Sequence, residues 1–226
     1  MAGNMRISRR DELLEATIVE LARVGSDSVE LGQICRSLNI SPGLVNHYFG
    51  SRASLILEAA MTAYERYVEG QVLVVEQAGD NPEEQFQVWL EAQVEWTIRN
   101  PGIASVMNFP SLHLPEGMAL EVASRIRLER AAARNLITLA SILDRVQRGI
   151  PGRGDITRED VGKNLGLASA TAYVGWLAYG HSLWRAGRHA PTSDLPEVRM
   201  FEAAVFAALP RVAFMLANGL KGSPED

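Results

Sequence analysis

Apolar positions in this chain recur at intervals of three and four from residue 8 almost to the C terminus. Strict alternation is absent throughout, so the pattern predicts an all-α protein of about nine helices. Leu14, Ile18, Leu21 and Ala22 mark a first helix over 8–24, opened by Ser8 and the acids behind it and closed at Gly25. Two short helices follow over 31–38 and 41–48. Ser51 is placed to cap a long helix through Ala53, Leu55, Ile56, Ala59, Ala60, Ala63, Tyr64 and Tyr67. Asn81-Pro82 resets the pattern, and 82–99 places Phe86, Trp89, Leu90, Gln93 and Trp96 on one face before Asn100-Pro101-Gly102 ends it. Further helices are expected over 103–108, 118–148, 157–187 and 194–218, with Pro210 removing one hydrogen bond from the last and bending it. The proline-punctuated run 109–117 and the glycine-rich run 149–155 break the series.

Residues 34–52 have the finest grain. Ile34 and Leu38 share a face of the first short helix, Ile40 plugs the turn, and Ser41 can cap a second helix whose first residue is Pro42. In that helix Leu44, Val45 and Tyr48 turn inward, leaving Pro42, Gly43, Asn46 and His47 outside. Such a small, polar outer face on the second of two short helices can enter a DNA major groove. The plainer alternative is a solvent-exposed helix in an unrelated bundle. The expected division is a three-helix helix-turn-helix domain over 1–56 and a larger helical domain over 57–226.

Composition narrows the class. Of 226 residues 47 % are hydrophobic, and the net charge of −5 argues against wholesale polyanion binding without excluding a local basic footprint. The first 56 residues balance six arginines against six acids, so that footprint must come from placement. Cys35 is the only cysteine, which rules out an intramolecular disulfide and a cysteine zinc site and suits a small buried hydrophobe. No apolar run approaches the about 18 residues of a membrane span, and nothing near the N terminus reads as a signal peptide. A soluble, cytoplasmic protein is expected. His47, His113, His181 and His189 show no metal-ligand spacing, and neither a nucleophile elbow nor a phosphate loop is present. Neither an enzyme nor a cofactor is expected.

The arrangement from Arg9 to Leu55 resembles the DNA-binding domain of the tetracycline-repressor (TetR) family of bacterial transcription regulators. Gly25 stands where that family ends its first helix. Ile34-Cys35 matches its Ile-Ala pair, Asn39-Ile40-Ser41 its Gly-Val-Ser turn, and Tyr48-Phe49-Gly50-Ser51-Arg52 with Leu55 the close of its recognition helix and the following Ser-Lys and leucine. The resemblance implies DNA contacts from Ser28, Ser41, Pro42, Gly43, Asn46, His47, Tyr48, Ser51 and Arg52. Arg6, Arg9 and Arg10 are either an ordinary charged terminus or, standing before the first helix, a flexible arm that reaches the backbone or the minor groove. Asn46 replaces the family's usual tyrosine, so it either loses a phosphate contact or reads a base, since an amide can pair bidentately with adenine. The ending Asn-His-Tyr-Phe-Gly resembles the family's choline-responsive branch, over too few residues to carry a ligand. Glu30 stands where a hydroxyl residue is common, and beside a phosphate it would repel.

A palindromic operator needs a second copy of the domain. The small residues Gly162, Gly166 and Ala170, with Phe201, Val205, Leu209 and Val212 of the last helix, form the expected homodimer surface; in the resembled family these two helices build a four-helix bundle with the partner. Otherwise they are the monomer's core. Trp89, Trp96, Phe109, His113, Tyr173, Trp176, Tyr179 and His181 are candidates to line a pocket for an apolar or aromatic effector, although aromatics at helical spacing are often core. Glu91 or Glu95 beside the tryptophans could instead cage a cation. The reading is a ligand-responsive regulator, most aptly a repressor of double-stranded operator DNA; the alternative is a helical small-molecule carrier that binds no DNA. The helix from Ser51 onward joins both domains and is the expected transmission element.

Overall fold

The computed structural model describes residues 8–25, 28–108 and 122–150, together with Asn164. These residues form seven helices and no strand: α1 (Arg9–Val24), α2 (Leu31–Ser37), α3 (Gly43–Phe49), α4 (Arg52–Gln77), α5 (Pro82–Arg99), α6 (Pro101–Asn108) and α7 (Val122–Arg148). The helices expected over 157–187 and 194–218 lie outside the described residues, as do positions 118–121 of the helix expected over 118–148.

Local chemistry accounts for most of the boundaries. The Ser8 hydroxyl accepts from the Asp11 backbone N–H at 3.1 Å, and Asp11 and Glu12 put negative charge at the positive end of α1. Gly25 closes that helix at φ 77°, its N–H donating to the Leu21 carbonyl at 3.0 Å. Ser51 caps α4 by accepting from the Ser54 N–H at 3.0 Å, and Asn81 caps α5 through Glu83. The turn between α2 and α3 needs one left-handed residue, and Asn39 takes it at φ 52°, the only non-glycine positive φ among the described residues. Asparagine tolerates that region because its short amide can bond locally.

Three boundaries differ from the periodicity. Helix α3 opens at Gly43, with Pro42 at the cap position, because its first bonds are of the tight i→i−3 kind, Leu44 N–H to Ser41 and Val45 N–H to Pro42. That tightness brings the Ser41 hydroxyl onto the Gly43 N–H, at 3.3 Å. Helix α4 runs on to Gln77, past an exposed Gly70, since Val68, Gln71 and Val75 continue its buried face. Helix α6 starts at Pro101, where a missing N–H costs nothing.

Three buried clusters lie along the molecule. The first joins Leu13, Leu21, Ile34, Cys35, Val45, Leu55 and Ile56 to Ile103 and Val106 of α6. The second gathers Tyr67, Val68, Ala104 and Ala131, with Tyr64 and Trp96 against it, and the third Val75, Phe86, Trp89, Leu139, Ile142 and Val146. Helix α4 contributes to all three and packs against α1, α3, α5, α6 and α7. Polar groups stitch the third cluster, where Gln71 donates to the Trp89 carbonyl at 2.9 Å and the Trp89 indole donates to Asn135 at 3.2 Å.

The seam between α1 and α6 is backbone on backbone. A Cβ on Gly102 would fall 2.0 Å from the Leu21 carbonyl oxygen and 2.6 Å from the Gly25 Cα, neither of which is the end of a flexible side chain. Gly102→Ala is therefore expected to cost at least about 2 kcal/mol in urea denaturation, towards the upper end of overpacking penalties, by prying α6 from α1. Asn39→Gly should leave stability unchanged, whereas Asn39→Val should lose about 1–2 kcal/mol in the same measurement, because a β-branched residue resists the left-handed turn.

Candidate nucleic-acid interface

Val45 anchors α3 from beneath. It is buried, Leu44, Tyr48 and Phe49 are half-buried, and Ser41, Pro42, Gly43, Asn46 and His47 are exposed together on the outer side. The division follows from the helical period, because Ile34, Cys35 and Leu55 receive Val45 and leave the opposite face uncovered. That face carries no acid, and Gly43 lets a partner approach the backbone closely. The His47 and Tyr48 rings meet edge on, with centroids 5.0 Å apart. Contact with the His47 ring orients the half-buried Tyr48, whose ring belongs to the body of the helix.

Cations and caps flank the helix. Ser51 spends its hydroxyl on the α4 cap and on Ser54, 2.9 Å away, so its place beside α3 is structural as well as polar. Arg52 is exposed at the first position of α4 and donates from Nη2 to the Val29 carbonyl at 3.2 Å, tying the chain before α2 to the start of α4. Ser28 is exposed one residue before Val29. Glu30 accepts from the Gln33 side chain within its own turn.

The arginines at the N terminus have a different setting from the flexible arm expected of them. Arg9 and Arg10 are the first residues of α1, since the Ser8 cap draws them into the helix; Arg6 lies outside the described residues. Arg9 pairs with Glu12 at 2.6 Å, and the Arg10 guanidinium lies 4.8 Å above the Phe49 ring. Arg36 was passed over in the sequence, yet it is an exposed cation on α2 lying along Gly32. The signal was available: Ile34, Cys35 and Leu38 point inward, and the same period turns Arg36 out.

Of the pocket candidates, Trp89 and Trp96 are described; Phe109, His113, Tyr173, Trp176, Tyr179 and His181 lie outside, as do Gly162, Gly166, Ala170, Phe201, Val205, Leu209 and Val212 of the dimer surface. Trp89 is fully buried in the third cluster. Trp96 stacks on Tyr67 with centroids 4.4 Å apart and meets Tyr64 edge on, which adds to this pocket candidate two tyrosines that the helical period places only as apolar positions of α4. Burial pushes both tyrosine hydroxyls up, Tyr67 well above the ordinary phenol value. Glu95 pairs with Arg99 and Glu91 accepts from Gln87 at 2.8 Å, so both carboxylates face partners on their own helix.

Comparison with known proteins agrees with this geometry. Residues 13–59 match the model of bacterial regulatory proteins, tetR family. The HTH-type transcriptional regulator BetI of Stenotrophomonas maltophilia is 26 % identical over 123 residues, 53 % of this chain and 63 % of that protein. BetI of Paraburkholderia phymatum is 40 % identical over 57 residues, 25 % of this chain and 29 % of its own. The chain thus spans less than two thirds of the length of either relative. Among solved structures, the fatty acid degradation regulator FadR from Bacillus halodurans is similar at TM-score 0.56 and 15 % identity, over 96 % of this chain and 98 % of that one. The TetR-family regulator PfmR from Thermus thermophilus follows the same fold at TM-score 0.52 and 17 % identity, over 97 % and 99 %. The helix-turn-helix of α2 and α3 thus lies within the segment that matches the tetR family of bacterial regulatory proteins, and the chain is similar to regulators of that family in sequence and in fold.

Proposed function

We propose that this protein is a ligand-responsive transcriptional regulator, acting as a repressor, that binds palindromic operator DNA as a homodimer through residues 1–56 and takes a small apolar or aromatic effector within residues 57–226. The observation that carries the reading is the outer face of α3, where Pro42, Gly43, Asn46 and His47 stand exposed over a buried Val45 inside the segment matching the family model. A short helix with small residues at its start and amides or imidazoles beyond them fits the groove and offers hydrogen bonds to base edges. Asn46 is the base reader in this assignment. Arg52 and the N–H groups at the start of α4 supply phosphate contacts, a helix N-terminus being suited to an anion.

The effector reading rests on Tyr64, Tyr67 and Trp96 between α4 and α5, beneath the reading head. The Tyr67 hydroxyl and the Gln71 Oε1 are buried without a hydrogen-bond partner, although the Gln71 and Asn135 amides lie beside the hydroxyl. Buried polar atoms left unmatched in a core are uncommon, and a ligand's polar group is one way to match them. An effector there changes DNA affinity only as far as it binds two arrangements of the dimer unequally. Helix α4 runs from Arg52 to the tyrosines, and α6 presses its backbone on the end of α1, so both connect the effector region with α3.

The DNA assignment is tested by selecting duplexes from a random pool with the purified protein. Enriched sequences should carry two half-sites centred about 10 base pairs, or a multiple, apart. Arg52→Ala should weaken binding to every duplex and lower the salt slope by about one, whereas Asn46→Ala should change preference at a single position per half-site by about 1–3 kcal/mol. Unaltered affinity and preference in both variants would support the carrier reading. Tyr67→Phe should raise the stability of the free protein by up to about 1 kcal/mol, since an unmatched hydroxyl is removed. A compound that raises the melting temperature of the wild type through this site should lose affinity for that variant.

A further inference from the structure

We propose that Glu58 is a positioning residue through which α7 sets the strength of DNA binding, because its carboxylate is shared between Arg127 of α7 and Arg10 of α1, and Arg10 rests on the last residue of α3. The inference builds on the DNA-binding reading above and concerns groups which that reading does not use.

The geometry is a chain of four charges and one ring. Arg127 donates from Nη1 to Glu58 Oε2 at 2.8 Å and, from Nε and Nη2, to both oxygens of Glu65 at 3.0 and 2.6 Å. Glu58 and Glu65 lie two turns apart on one side of α4, so a single guanidinium spans them. The other Glu58 oxygen, Oε1, lies 3.7 Å from Arg10 Nη2. Arg10 also has Asp11 at 3.6 Å and holds its guanidinium 4.8 Å above Phe49. These groups are partly buried, the Glu58 side chain at 23 % exposure and Arg127 at 36 %, so their attraction is screened less than that of surface pairs. Hydrogen bonding to Glu65 and the nearby Glu58 charge hold the Arg127 guanidinium firmly protonated.

The two arginines compete for one carboxylate, and distance decides between them. With Arg127 in place it satisfies Glu58 at hydrogen-bond length, and Arg10 is left at a longer ion-pair distance with its guanidinium over the Phe49 ring. With Arg127 withdrawn, Glu65 loses this partner and Glu58 keeps only the more distant Arg10. Arg10 is then the nearest cation to Glu58, and a charge-assisted hydrogen bond outweighs a cation–π contact at a partly exposed site. Arg10 leaves the ring. Phe49 immediately precedes Gly50, Ser51 and Arg52, the residues that turn α3 into α4, so loss of this clamp loosens both the angle of α3 and the setting of Arg52. A seated α7 therefore favours tight DNA binding, and a displaced α7 weakens it.

A mutant cycle on the full-length protein tests this, with a 30-base-pair duplex enriched from a random pool by the wild type as probe. Arg127→Met is expected to weaken binding about fivefold, roughly what a partly buried ion pair can transmit. In a Glu58→Gln background the same substitution should change affinity by less than about 1.5-fold, since the mediator is gone, and in an Arg10→Ala background it should be equally silent. Glu65→Gln, which loosens Arg127 without touching Glu58, should stay within about twofold of wild type. Urea melts identify any variant that is not folded, and the comparison of backgrounds is unaffected by a uniform stability loss. Equal weakening by Arg127→Met in all three backgrounds, or weakening by Glu65→Gln as large as that by Arg127→Met, would overturn the role of Glu58. Failure of the wild type to enrich any duplex would overturn the DNA-binding reading itself, and this inference with it.

Discussion

One unbroken helix belongs to every hydrophobic cluster of the described structure. Leu55, Ile56, Ala59, Ala60 and Ala63 of α4 sit in the first, Tyr67 and Val68 in the second, and Val75 in the third. At 1.5 Å per residue its 26 residues make a rod of about 39 Å. A helix has no soft joint in its middle unless proline, a bulge or an inserted group supplies one, and the sequence of α4 contains no proline. Repacking around Tyr67 therefore has to be accommodated by the helix as a whole, including the end that carries Ser51 and Arg52. The division expected from the sequence between residues 1–56 and 57–226 is softened in the structure by this shared element and by α6, which fills the floor of the first cluster with Ile103 and Val106.

The polar contacts divide into two kinds. Some hold single elements in register, as the Ser8, Ser51 and Asn81 caps do. Others cross between elements far apart in the chain, as Arg52 with Val29, Trp89 with Asn135, Glu15 with Arg66, and Arg127 with Glu58 and Glu65 do. Bonding to Arg66 holds the Glu15 carboxyl below its ordinary value. That pair contributes stability above the ordinary carboxylate range and loses it as acid protonates Glu15, though by little at so exposed a site.

Most of this architecture was legible along the chain, and the reason is that its signals are local. A cap needs a hydroxyl or amide within three residues, a buried face needs apolar residues three and four apart, and Gly25 and Asn81-Pro82 are visible as punctuation. The exposed set on α3 followed from the period alone. What escaped were features decided by tertiary approach. Arg9 and Arg10 looked like an arm because nothing nearby shows that Glu58 and Phe49 hold Arg10 against the body. Tyr64 and Tyr67 looked like two more apolar positions because their partner, Trp96, arrives from α5. The start of α3 moved by a residue because a tight first turn, invisible to the hydrophobic pattern, brings Ser41 onto Gly43. Gly102 looked like part of a helix stop, whereas its lack of a side chain is what admits α1.

Two of the seams that join α1–α3 to the rest of the described structure are made of opposite materials. Where Gly102 meets Leu21 and Gly25, the contact is steric, main chain against main chain, with no charge to screen. Where α7 meets α4 and α4 meets α1, it is a string of guanidinium and carboxylate groups open in part to solvent. Dissolved salt shortens the reach of the second, to a Debye length of about 8 Å at physiological ionic strength and about 3 Å at 1 M, and leaves the first untouched. One of these joints is thus indifferent to its medium and the other slackens in brine, so ionic strength is itself an input to how firmly Arg10 is held between Glu58 and Phe49.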